Sequence, residues 1–184
     1  DFQGSRGLGD VYKRQEDGSP LRVYSDRITK SLNSTNDDIE FEFAMRYGNP
    51  SIRYGLEQLQ SKGVDELLLL PMFPHHAQAT TESALKHSYK QLKKMNWNPD
   101  IMEMGHFETD EEYVIPLAKS IESQIDKDTH LLFSYHGLPV SHVKRIDKTK
   151  NHCQQKHDCC SIASEANTIC YGHHCMKTTQ TVVG

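Results

Sequence analysis

The spacing of apolar and polar positions becomes regular after Gly18 and divides the chain into elements. Apolar residues at Leu21, Tyr24, Ile28 and Leu32 fall on one stripe of a helix over 21–32. Ile39 to Tyr47 (IEFEFAMRY) alternates apolar and polar, the period of a strand, and Gly48-Asn49-Pro50 breaks it. Ile52, Leu56 and Leu59 recur at helical spacing over 51–62, and Gly63 stands where a helix usually ends. Val64 to Phe73 is a nearly continuous apolar run, as expected of a strand covered on both faces. A helix from Thr81 to Met95 and a short strand over 101–105 follow. Thr109-x-x-Glu112 has the form of a capping box and opens a helix to about Lys127. His130 to Tyr135 (HLLFSY) reads as the next strand. Strands alternating with helices predict an α/β fold built from βαβ units, a mainly parallel sheet with helices on both faces.

Composition narrows the class. The 184 residues carry a net charge of −4, a sequence pI of about 6.3 and a mean hydropathy of −0.68. A mildly acidic chain with scattered cations argues against a general nucleic-acid partner. No apolar run approaches the 18 or so residues of a membrane span. The first residues have neither the basic nor the apolar region of a secretory signal. Residues 1–16 show no period and are set apart as an extension expected to be disordered.

In parallel α/β sheets, chemistry gathers in loops beyond the carboxyl ends of the strands. Two such loops carry imidazoles. Pro74 to Thr81 combines His75 and His76 with Thr80 and Thr81 ahead of a helix, a fair setting for an anion or polar ligand. The plain alternative is ordinary helix capping. His136-Gly137-Leu138-Pro139 puts a histidine at a strand tip beside a glycine that permits positive φ or close ligand approach. An imidazole there can take a proton or bind a metal near neutral pH. The plain alternative is a turn histidine.

All five cysteines fall between Cys153 and Cys175. An odd, tightly clustered set reads as a local metal or redox site in a reducing compartment, and hence a cytoplasmic protein. The spacing Cys153-x5-Cys159-Cys160-x9-Cys170-x4-Cys175 does not match the common zinc patterns. It could hold zinc or an iron–sulfur cluster, with His152, His157, His173 or His174 able to replace a thiolate.

Four segments in order resemble the ferrochelatase family: Gly18-Ser19-Pro20-Leu21, AMRYGNPSI (44–52), LLPMFPHHAQATTESAL (69–85) and LLFSYHGLP (131–139). The resemblance covers about 165 residues, and LLFSYHGLP carries the family signature. It implies a chelatase that inserts Fe2+ into a porphyrin, and a flavodoxin-like chelatase fold of two similar halves. His136 matches the family's metal-site histidine, where Fe2+ is the substrate, and Ser19, Arg46, Tyr47 and His76 match positions lining the porphyrin cleft. At His76 the family usually has an aromatic ring, and Glu82 replaces its usual glycine. The cysteines resemble those of a bacterial subset of the family. They imply a 2Fe-2S cluster on Cys153, Cys160, Cys170 and Cys175, with Cys159 as alternate and zinc as runner-up.

Matched to the family, the chain looks like a fragment truncated at both ends. Residues 17–128 would be the first half without its N-terminal strand, and 129–184 the start of the second half with a cysteine-rich insertion. The acidic partner of His136 would lie beyond the C-terminus, so the fragment alone is expected to be inactive. Some family members lie on membranes, which leaves peripheral membrane contact open, although no amphipathic basic helix stands out. Two other readings stay open: a cobalt or nickel chelatase acting on another tetrapyrrole, and a non-catalytic haem- or metal-binding module.

Overall fold

The structure, a computed structural model, describes residues 19–155, 157–162 and 164–184. The expectations for residues 1–16, and for Gly18 in the first motif, lie outside the described residues. The fold is α/β: among the described residues, six α-helices accompany a parallel two-stranded sheet. The chain divides into two compact units, Asp1–Leu67 with His87–Asp100, and Leu68–Lys86 with Ile101–Gly184.

In the first unit, α1 (Pro20–Thr35) starts with proline at its first position, where the missing N–H costs nothing. Its apolar stripe does not face a core. Leu21, Tyr24 and Ile28 are more than half exposed, and no residue of the helix is buried. By contrast, α2 (Ile52–Ser61) buries Ile52, Leu56 and Leu59 as their spacing requires. Ser51 caps it by accepting from the Tyr54 N–H, and Gly63 ends it at φ +77°, a conformation that suits glycine. The alternating segment Ile39 to Tyr47 is not a strand: it makes one isolated bridge, Met45 with Ser51. Alternation shows that a segment can pair, but a ladder also needs a neighbour with free backbone groups.

Strands β1 (Glu66–Leu69) and β2 (Asp100–Glu103) run parallel, with Asp100 N–H donating to Asp65 O and Met104 N–H to Leu69 O. Both are shorter than their apolar runs. α3 (Ser83–Met95) follows a π-turn at Gln78–Glu82, and its residues from His87 onward lie in the first unit, where Leu92 is buried.

In the second unit, α4 (Glu111–Glu122) is capped from Asp110 rather than from Thr109, and no side-chain cap bond forms, so the expected capping box is absent. Acidic Glu111 and Glu112 still suit the positive helix start. The expected strand 130–135 is extended chain without a ladder partner among the described residues. α5 (Val140–Ile146) follows, and then α6 (Tyr171–Val183), which packs against α4.

A single carboxylate organises the cysteine-bearing turns. Asp147 Oδ1 accepts from Thr149 Oγ1 and from the N–H groups of Thr149 and Lys150, while Oδ2 accepts from the N–H groups of His152 and Cys153. These donors, the Thr149 hydroxyl foremost, hold the Asp147 carboxyl far below the usual carboxylate range. Cys153, Ala166 and Cys170 form a small buried cluster, against which Val143 packs.

Candidate functional site

The two imidazole-bearing loops predicted from the sequence meet on one helix. His75 Nε2 lies 2.8 Å from Thr178 Oγ1. The Thr178 hydroxyl has carbonyl acceptors in Glu108 O at 2.9 Å and His174 O at 3.2 Å. Since its one proton goes to those carbonyls, the His75 contact requires Nε2–H as donor. His75 Nδ1 is then left with a bare lone pair. Burial lowers the His75 pKa, which favours this neutral form. The ring is set edge-on against Tyr135 and Tyr171, with centroids 5.5 and 5.8 Å away.

His76, by contrast, turns its ring towards Glu82, with Nε2 to Oε1 at 3.4 Å, and gives its backbone N–H to His174 Nδ1 at 3.1 Å. His174 is 1% exposed, and its Nε2 lies 3.1 Å from Thr168 O. A backbone N–H can only donate and a carbonyl only accept. His174 is therefore neutral, with its proton on Nε2. Burial pushes its pKa down to about 4, in keeping with that assignment.

His106, Glu108 and His174 place one ligand atom each within 4.8 Å of one another, close enough for a metal ion. They line a hollow of about 230 Å³ that also contains Asn167, whose buried Oδ1 has no hydrogen-bond partner among the described residues. The existing bonds oppose metal binding. His106 Nδ1 already lies 2.6 Å from Glu108 Oε2. To ligate through Nε2, His174 would have to shift its proton to Nδ1, against the His76 N–H. As arranged, His174 is a connector between chain segments rather than a ligand.

His136 sits in the extended segment before α5 with its ring exposed, and among the described residues nothing hydrogen-bonds that ring. The residue before it, Tyr135, has its hydroxyl 2.8 Å from Thr179 Oγ1 on α6. Burial foremost, then the neighbouring Cys175, pushes the Tyr171 pKa up to about 12. Gly137 does not use the left-handed region open to glycine, and a Cβ placed on it would meet nothing within 4 Å. Its expected conformational role is not seen.

The other predicted cleft residues lie in the first unit. The Arg46 guanidinium stacks on the exposed Tyr47 ring, 4.4 Å from its centroid. Ser19 precedes α1 and accepts the Val23 N–H through its carbonyl, with no side-chain cap bond. The structure thus brings His75, His76 and Tyr135, the neighbour of His136, against α6, while Ser19, Arg46 and Tyr47 lie in the other unit.

The five cysteines are free thiols. Cys170 and Cys153 share a buried cluster, and Cys159 Sγ lies 4.0 Å from Cys160 Sγ, but no three thiols come within 4.8 Å of one another. Burial and mutual proximity push Cys153 and Cys160 up to about 12, and burial pushes Cys175 up to about 11. The predicted thiols therefore pair, Cys153 with Cys170 and Cys159 with Cys160, while Cys175 lies buried on α6. The partners Tyr135, Tyr171, Thr178 and Glu108 were not expected from the sequence. One usable signal was the threonine pair Thr178-Thr179 on a helix that begins within the cysteine run.

The ferrochelatase family model matches residues 5–184. Similar curated proteins include the ferrochelatase of Opitutus terrae, 34% identical over 167 residues, which covers 90% of this chain and 48% of that protein. The ferrochelatase of Pseudomonas fluorescens strain Pf0-1 is 33% identical over 165 residues, 89% of this chain and 48% of that protein. That of Bdellovibrio bacteriovorus is 34% identical over 176 residues, 93% of this chain and 51% of that protein. The chain spans about half the length of the curated relatives it matches.

Proposed function

Because the chain belongs to the ferrochelatase family, we propose that it is part of an enzyme that inserts Fe2+ into a porphyrin, protoporphyrin IX or coproporphyrin III, to complete haem. Fe2+ and the free-base porphyrin are substrates. Two inner N–H protons must leave as the metal enters, and a flat ring shields its nitrogen lone pairs. An enzyme therefore gains by favouring a distorted ring that resembles the transition state.

The observation that carries this reading is His136: an exposed residue whose ring has no hydrogen-bond partner among the described residues, next to Tyr135, whose hydroxyl lies 2.8 Å from Thr179 Oγ1. A neutral imidazole there accepts a pyrrole proton or presents a lone pair to Fe2+. By the family resemblance, Ser19, Arg46, Tyr47 and His76 are proposed porphyrin contacts, with Arg46 the candidate partner of a propionate. The test is to supply the intact protein with Fe2+ or Co2+, and with porphyrin or sirohydrochlorin. Iron insertion into porphyrin is expected. Preference for cobalt and sirohydrochlorin would favour the other chelatase class, and tight haem binding without metallation would favour a binding module.

Thiols on neighbouring turns suit a soft metal centre, because a cation drawn between them lets buried thiols ionise. Cys153, Cys160, Cys170 and Cys175 would hold a 2Fe-2S cluster, with Cys159 as alternate to its neighbour Cys160. Bound there, the cluster would cross-link the turns after α5 to the start of α6. Zinc is the competing occupant. Protein purified anaerobically is expected to be coloured and to contain iron and sulfide, and a colourless protein with stoichiometric zinc would contradict the cluster. Five free thiols suit the reducing cytoplasm, where the enzyme is placed. Among the described residues no helix is long and apolar enough to cross a membrane.

A further inference from the structure

The hollow of about 230 Å³ in the second unit has no part in the proposed chemistry. It is lined by His106, Glu108, Asn167, His173 and His174, with Ser164 and Thr168 beside them. Three imidazoles around one space would ordinarily point to an anion or a metal ion. The hydrogen bonds reverse the first expectation. His106 Nδ1–H donates to Glu108 Oε2, and His173 Nδ1–H to Cys160 O, each at 2.6 Å. His174 Nε2–H goes to Thr168 O at 3.1 Å, and Asn167 Nδ2 donates to Ile162 O. These ring N–H groups are committed inside the protein, so an anion would find none of them free. What remains are acceptors. Glu108 Oε1 lies 3.8 Å from His174 Nε2, beyond hydrogen-bond reach, and has no other partner among the described residues. Asn167 is 3% exposed, and its Oδ1 is buried without a partner among the described residues. In the neutral rings, Nε2 of His106 and of His173 keeps a lone pair. No lysine or arginine lines the hollow, and Glu108 is its one carboxylate among the described residues.

A single metal ion matches this set poorly. The ligand atoms of His106, Glu108 and His174 lie within 4.8 Å of one another, but His174 has both ring nitrogens occupied. His173 falls outside that group. Ligands about 2 Å from one ion cannot stand so far apart, so His173 cannot share an ion with His106 and Glu108. A polyatomic cation that carries its own N–H donors meets the same acceptors without displacing a proton. We infer that the hollow binds a small primary ammonium compound, whose head group donates to Glu108 Oε1 and Asn167 Oδ1 and keeps a third N–H for an imidazole Nε2. Binding then relieves two deficits at once: a buried amide oxygen without a donor and a nearly buried carboxylate with only an imidazole beside it. The volume leaves room for a stem of a few carbons beyond the head group. None of this rests on the chelatase reading.

The test titrates n-propylammonium chloride into the isotope-labelled full chain and follows the Asn167 side-chain amide by NMR. A saturable shift with Kd near about 1 mM is expected, within the ceiling for so small a ligand. n-Propanol fills the same space without the charge and should bind at least about ten-fold more weakly. Glu108→Gln removes the charge but keeps the backbone carbonyl that accepts from Thr178. It should weaken n-propylammonium by at least about ten-fold. Equal affinity for n-propanol, an unchanged Kd in Glu108→Gln, or no saturable shift up to about 100 mM would overturn the inference. The n-propanol comparison needs no variant, so it decides the matter even if Glu108→Gln fails to fold. Zn2+ is the last comparison. Saturation of the same amide shift by Zn2+ at about 10 μM, abolished in Glu108→Gln, would make the hollow a metal site and overturn the ammonium reading.

Discussion

Helices α1 and α6 invert the usual relation between polarity and burial. α1 carries a regular apolar stripe and leaves Leu21, Tyr24 and Ile28 more than half exposed. α6 carries His174 and Thr178 at about 1% exposure each. The difference lies in the partners. Thr178 and His174 have bonds to backbone or ring groups for their buried polar atoms, so burial leaves nothing unsatisfied. The α1 stripe has no such set of neighbours among the described residues. In this chain a polar group sits in the interior where its hydrogen bonds are complete, and an apolar stripe alone does not bring a helix into a core.

The largest expected effect tests how far satisfied polarity supports the second unit. Asp147→Ala strands four backbone N–H donors and the Thr149 hydroxyl, and should cost about 3 kcal/mol in urea unfolding. A loss below about 1 kcal/mol would show that the cysteine turns hold without it. The depressed Asp147 pKa fixes the sign of its pH dependence. Its contribution is complete above the ordinary carboxylate value and fades as pH falls through the folded value.

A medium effect comes from His174. Its folded pKa, about 4, lies below the ordinary 6.5, so the unfolded chain binds more protons between these values. Stability should therefore decline as pH drops from 6.5 towards 4, and His174→Gln should remove that part of the acid sensitivity. Parallel acid profiles for the two proteins would contradict a buried neutral ring. The smallest effect belongs to α1: Ile28→Ser, on the exposed stripe, should shift stability by no more than about 0.5 kcal/mol. A loss of about 2 kcal/mol would mean that the stripe is covered in solution.

Helices were legible wherever a local 3.6 period met a real interface, as at Ile52, Leu56 and Leu59. The strands were not, because pairing depends on a neighbour that alternation cannot name. The segments 39–47 and 130–135 both have strand patterns and no ladder. His136 and the cysteine group could be singled out because their chemistry is concentrated in short stretches. The contacts that position His75 and His76 span 103 and 98 residues, and no local pattern encodes them. His174, a metal-ligand candidate by composition, became a connector once both ring nitrogens had partners.

The most direct test of the central claim is metal insertion by the intact protein with His136→Ala. Porphyrin should still bind while metallation falls by about 10²–10⁴-fold, the loss expected for a positioned base or ligand. Turnover close to that of the unaltered protein would contradict it.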